Sequence, residues 1–373
     1  MRGRKYLLTV LLVLFVVDAA LSQQEVLKGV VNDLAFYKEK KDLKYLDNAK
    51  KTVDSLINAS PDSLDVERNA YKAVVYSSIL YIDSLNKLRE PGAMLPQPAA
   101  LVDRLQASRK IYRYDAEMDF SRKCLSNVYI RKAFIYINNS DFINALPLLE
   151  DAKKYAPEFN PINTFIAYSN SKLGNLTAAA KYYSSLVGGD STKAEYAEAA
   201  ATIYKSFGDT VTALGIIKKA RKILPGDKSL VLEEANIYNN RKDYHNLVNL
   251  LPDLLDINGN NADIAFVAAN CYDHLNQYEK AESLYLRSIE LNNTTYDPVF
   301  NLGLLYFRES LLGRLVGEKT ENEARAAQWL ERASEISPNE VSCLQVLKLV
   351  YAQANNQDQL NKINNKLKQL TNQ

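Results

Sequence analysis

The chain has 373 residues, 46 Lys or Arg against 44 Asp or Glu, 47 % apolar and 24 % charged, the balance of an ordinary folded protein. The stretch 1–22 holds Arg2, Arg4 and Lys5 against Asp18, so the remainder carries as many basic as acidic residues, and the missing basic excess argues against a nucleic-acid partner. Three widely spaced cysteines, Cys124, Cys271 and Cys343, and two histidines, His245 and His274, exclude a disulfide scaffold or a paired-cysteine zinc site and leave little for histidine catalysis.

In chain order, Arg2, Arg4 and Lys5 precede an apolar run from Leu7 to Val17, and Ala20 and Ser22 supply small residues ahead of a cleavage point. The segment 1–22 reads as a signal peptide cleaved near Ser22. It is too short, and closed too early by Asp18, to span a bilayer. No other long apolar segment follows, so the mature chain is expected to carry no integral membrane segment and to be exported, periplasmic or outer-membrane-associated.

Residues 23–90 read as divergent helices, with Ala49, Val53, Leu56 and Pro61 on one helix and Ala73 and Tyr76 on the next. The run EPGAMLPQPAA, from Glu90 to Ala100, cannot be helical throughout. It marks 91–123 as a Pro-rich loop and connecting helix, and a hinge between 22–90 and the rest.

From about Cys124 to Pro338 the sequence repeats. Ala133, Ala167, Ala201, Ala235, Ala269 and Gly303 recur at one constant interval, with Tyr136, Asn170, Tyr204, Tyr238, Tyr272 and Tyr306 three positions behind each. A second ladder runs Ala145, Ala179, Ala213, Leu247 and Ala281, and Pro157, Pro225 and Pro338 close units. Stretches such as 229–240 and 262–274 place apolar residues at i, i+3, i+4 and i+7 and lack strand alternation. Each unit is expected to be a helix-turn-helix, too small to bury its face alone and obliged to stack. Tyr306 and Ala326 stand much further apart than their counterparts Tyr136 and Ala145 or Tyr204 and Ala213, which marks an insertion near 308–320. Extension of the first helix before a turn at Gly317 is expected, with Leu311, Leu312, Leu315 and Val316 exposed for docking. GRLVGEKT in this segment fails as a phosphate loop, because Glu318 occupies the second glycine position. Residues 339–373 read as a C-terminal cap with a polar last helix.

These units resemble the tetratricopeptide repeat family, whose 34-residue unit carries a small residue at position 8, Tyr at 11, Ala at 20, a large apolar residue at 24, Ala at 27 and Pro at 32. Ala201, Tyr204, Ala213, Ile217, Ala220 and Pro225 match it in one unit, and Ala133, Tyr136, Ala145, Leu149, Ala152 and Pro157 in another. The resemblance implies an all-α fold, an α-solenoid wound as a right-handed superhelix of six such units over 124–338. It further implies a non-enzymatic scaffold that binds a peptide or partner protein in a concave groove lined by the first helices, with no cofactor, metal or catalytic residue. Carried onto this chain, the groove comprises Tyr168, Lys172, Lys205, Asn236, Asn239, Asn240, Phe266, Asn270, Asp273, His274, Phe300, Phe307 and Arg308. Its amides offer donors and acceptors to an extended peptide. The family's carboxylate clamp is only partly matched, by Lys172 and Lys205. A glycan or cell-wall fragment suits the same Tyr- and Asn-lined surface, and docking to an envelope assembly is the expected setting.

Overall fold

The computed structural model describes residues 27–58, 65–91, 94–188, 192–313 and 315–371; the leader read at 1–22 lies outside them. The described residues are helical, with no strand among them, and divide into two compact units, one ending at Leu186 and one beginning at Val187.

The first unit holds α1 (27–40), α2 (Lys44–Asn58), α3 (Val66–Ile82), α4 (Pro96–Gln106), a 3-10 turn (Ile111–Tyr114), α5 (Asp115–Asn138), α6 (Phe142–Tyr155), α7 (Pro161–Lys172) and α8 (Leu176–Ser185). Within the Glu90–Ala100 run, the described residues from Met94 onward pack against the neighbouring helices. Met94 and Leu95 are buried, and Leu95, Ala99 and Val102 join Ala73 of α3 and Met118 and Leu125 of α5 in one apolar cluster. Pro96 stands at the first turn of α4, where its missing N–H costs nothing.

The second unit holds α9 (Ala194–Ser206), α10 (Thr210–Ile223), α11 (Lys228–Asn240), α12 (Tyr244–Leu247), a 3-10 turn (Val248–Leu250), α13 (Leu251–Ile257), α14 (Ala262–His274), α15 (Tyr278–Leu291), α16 (Tyr296–Leu312), α17 (Val316–Ile336), α18 (Val341–Gln353) and α19 (Gln357–Thr371). The second helix of the hairpin opened by α11 is broken into α12 and α13 at Pro252, which cannot donate to the preceding turn.

Both small-residue ladders are buried where helices touch: Ala133, Ala167, Ala201 and Ala269 on first helices, and Ala145, Ala179, Ala213, Leu247 and Ala281 on second helices, are fully inaccessible. Gly303 shows how close the approach is, since a Cβ there would sit 2.7 Å from Leu330 Cγ of α17. The turns inside the hairpins share one geometry. Ser140, Gly174, Gly208, Lys242 and Asn276, which recur at the repeat interval, all have left-handed φ between 56° and 78°. The N–H of the following residue then reaches back at 2.9 Å onto the carbonyl of Tyr136, Asn170, Tyr204, Tyr238 and Tyr272 respectively. This is the six-to-one closure that ends a helix while satisfying its last carbonyls. Asp141, Asp209 and Asp243 next cap the second helix, each accepting from the N–H three positions on. The ladder position that follows each small residue thus supplies a backbone acceptor to the turn.

The inserted residues lengthen both helices of one hairpin: α16 runs 17 residues and α17 21, against 13 and 14 for α14 and α15. The chain reverses at Gly313, not at Gly317, which lies inside α17 with open space around its Cβ position. Neither glycine adopts a left-handed φ. Leu311, Leu312, Leu315 and Val316 are exposed at this elbow. Trp329, the one tryptophan, is half-buried on α17 against the cluster around Leu302 and Leu347, with the Arg332 guanidinium over its ring.

Candidate partner-binding surfaces

Two of the expected groove residues lie in the first unit. Tyr168 of α7 is 41 % exposed; its ring meets Phe142 edge-on at 5.6 Å and lies beneath the Lys172 ammonium, one turn on. This makes a cation-capped aromatic step, a geometry that favours contact with further rings or aliphatic chains.

In the second unit the first helices carry the remainder. Lys205 of α9 is ion-paired with Glu233 of α11, which ties two first helices and spends that lysine's charge. On α11, Asn236 and Asn240 are exposed and Asn239 half-buried. Spaced three and four apart, they share one face. Their side-chain amides make no hydrogen bond among the described residues. On α14, Asn270 lies beside the Tyr244 hydroxyl, and the His274 imidazole stacks on the same tyrosine at 4.3 Å and 9°. Tyr244, which opens the short α12, is thus clasped by two groove residues. Phe266 tilts against Tyr285, Phe300 stacks on Tyr296 at 5.3 Å, and Phe266, Phe300 and Phe307 are each half-buried against the core.

Asp273 and Arg308 have a different character. Asp273 is buried; it accepts from the Arg308 guanidinium of α16 and from the Tyr285 hydroxyl of α15 at 3.2 Å. The carboxylate is fully engaged inside the protein, holding one hairpin to the next. Arg308 also lies 5.8 Å from the Tyr278 ring, with its Nε buried and without an acceptor among the described residues. Burial, with Glu282 next, raises the carboxyl of the neighbouring Glu309 above its ordinary range. Tyr306 donates to Glu282, Tyr351 to Glu331 and Tyr76 to Asp54. These three tyrosines therefore anchor their hydroxyls on the helix before their own, and burial followed by these hydrogen bonds pushes all three phenols upward.

Sequence reasoning identified neither Tyr244 nor Glu233 as part of this surface. Glu233 lies on α11, 28 residues beyond Lys205, so the pair joins two hairpins and no spacing within one unit points to it.

Among the described residues no cluster of three His, Cys, Asp or Glu could hold a metal, and no helix is long and apolar enough to cross a membrane. A profile of the tetratricopeptide repeat matches residues 262–295, the hairpin of α14 and α15. No curated protein matches the chain. Among solved structures, a crystal structure of MamA is 19 % identical over 46 % of this chain and 94 % of its own, with a TM-score of 0.41. YrrB, described as a tetratricopeptide protein with an unusual peptide-binding site, is 19 % identical over 54 % of this chain and 97 % of its own, with a TM-score of 0.44. MamA from Desulfovibrio magneticus RS-1 is 13 % identical over 58 % and 96 %, with a TM-score of 0.34. The hairpin at 262–295 is a tetratricopeptide repeat, and its spacing of small residues and tyrosines recurs along the chain.

Proposed function

We propose that this chain is a non-enzymatic scaffold that binds an extended peptide or partner protein across the first helices of its second unit, and that it works in a bacterial cell envelope. The observation that carries the reading is the face of α11. Three amides, at Asn236, Asn239 and Asn240, stand without partners among the described residues, beside helices whose charges are already paired, Lys205 with Glu233 and Asp273 with Arg308. Unpaired amides next to half-buried rings suit a peptide backbone, which needs donors and acceptors in any sequence. The poor nucleophilicity of the cysteines supports the non-enzymatic part. Burial pushes the Cys124 thiol up to about 12 and those of Cys271 and Cys343 up to about 11, which keeps all three protonated at neutral pH. The envelope setting rests on the residues 1–22 as a cleaved leader.

Photo-crosslinking in intact cells tests this, with the reactive residue at Asn239, Asn270 or Phe266 and, as a control, at the exposed Glu290 of α15. A discrete protein adduct from the first-helix positions alone is the expected result. Carbohydrate adducts, or no adduct from any of them, would overturn the peptide reading.

A further inference from the structure

The first unit contains a recess of about 710 Å³ that none of the groove residues lines. Its volume falls within the range of sites that enclose a small ligand. It is built by a part of α5 that other hairpins lack. α5 runs 24 residues from Asp115, whereas α7, α9, α11 and α14 run 12 or 13. The extra turns add Asp119, Arg122 and Lys123 along the same face as Ile130. The end of α6 and the loop after it close the other side with Tyr155, Pro157 and Phe159.

The wall is largely apolar, and its hydroxyls are already spent. Ser126 donates to the Ala152 carbonyl at 2.9 Å, and Tyr155 donates to Asp103 at 3.2 Å, leaving only its ring for a visitor. The lysines are spent too. Lys123 lies 2.6 Å from Asp119, and Lys154 lies 2.6 Å from Asp103. Arg122 is the exception. Its nearest carboxylate, Asp119, is 3.9 Å away and already held by Lys123, and its guanidinium makes no hydrogen bond among the described residues. A planar fork of unused donors beside an apolar wall is suited to a carboxylate, which it can grip with two parallel bonds. At the rim Glu158 is exposed and has no cation partner among the described residues, which sets a penalty on a second negative charge in the ligand.

We propose that this recess binds a single carboxylate carried on an aromatic or large aliphatic body, with the carboxylate on Arg122 and the body against Ile130 and Phe159. Such chemistry has two sources, a free small acid or the terminal residue of a peptide, and the test separates them. The full chain is titrated calorimetrically with N-acetyl-phenylalanine, with its primary amide, and with a hexapeptide ending in a free Phe carboxylate. Saturable binding of the acid, at least tenfold weaker for the amide and at least tenfold weaker to Arg122→Gln, is the expected result and points to a small acid. Binding of the hexapeptide alone, with the same dependence on Arg122, supports the site with a chain terminus as its ligand. Equal binding of acid and amide, no change on Arg122→Gln in a protein of unaltered helicity, or no binding of any probe would overturn it. Should Arg122→Gln misfold, the comparison of acid with amide on the unaltered chain decides alone.

Discussion

Arg308, on α16, reaches back to the carboxylate of Asp273, on α14, and so bridges the first helices of consecutive hairpins. The two are unequally buried, with side chains 41 % and 8 % exposed. Removing the arginine strands a buried carboxylate that retains only the Tyr285 hydroxyl. Arg308→Met is therefore expected to cost about 2 kcal/mol, less than the loss of a fully buried pair. Adding Asp273→Asn to Arg308→Met should recover part of that loss, a non-additivity that urea titrations of the two single variants and the double variant would measure.

The turn residues make a second prediction with opposite signs at equivalent positions. Lys242 and Gly208 occupy the same left-handed site in adjacent hairpins, with φ of 56° and 78°. A side chain there crowds its own carbonyl, and glycine does not. Lys242→Gly should stabilise by about 0.5–1 kcal/mol and Gly208→Ala destabilise by about 1 kcal/mol. Equal and small effects from both, read by thermal melting, would remove the turn from the account.

Gly303 tests the closeness of helix approach. A methyl group 2.7 Å from Leu330 Cγ must displace that side chain or part α16 from α17. Overpacking of this kind costs roughly 1–3 kcal/mol. Gly303→Ala should lower the denaturation midpoint, and a second change, Leu330→Ala, should relieve the clash while opening a cavity of its own.

The raised Glu309 carboxyl sets a pH dependence. Burial and Glu282 make the folded protein hold this proton more tightly than the unfolded chain, which releases it around the ordinary value of 4.5. Below that value the group costs nothing; as pH climbs past it, ionisation in the folded state becomes unfavourable and stability is lost. Glu309→Gln should accordingly raise the melting temperature at pH 7 by roughly 1–2 °C, and the gain should vanish at pH 4. A gain that persisted at pH 4 would show that the effect is packing and not charge.

The fold was legible because contact between helices constrains residue type. Ala133 through Gly303 had to be small, and their spacing announced the hairpin and its stacking before any coordinate. The turn was not legible, since Ser140, Gly174, Gly208, Lys242 and Asn276 share a backbone conformation with no common side chain; the helix-ending hydrogen bond imposes it. At the surface, the repeat frame put the three α11 amides on one helix face, and it treated Asp273 and Arg308 as ligands for a partner when each is mostly engaged with the other. Their positions are 35 residues apart, so the pairing runs between hairpins and is hidden from any reading confined to one. The recess beside Arg122 lies further out of reach, because it depends on turns of α5 that precede the repeat pattern.

The position of Trp329 gives the molecule a built-in optical label. As the one indole in the chain, half-buried against the apolar cluster of the second unit beneath the Arg332 guanidinium, it makes emission above the tyrosine band a signal from that unit alone. Circular dichroism, by contrast, sums the helices of both units. Recorded together during one denaturant titration, the two signals would coincide if the chain melts as a whole. They would separate if the boundary at Leu186 divides it into independently melting parts.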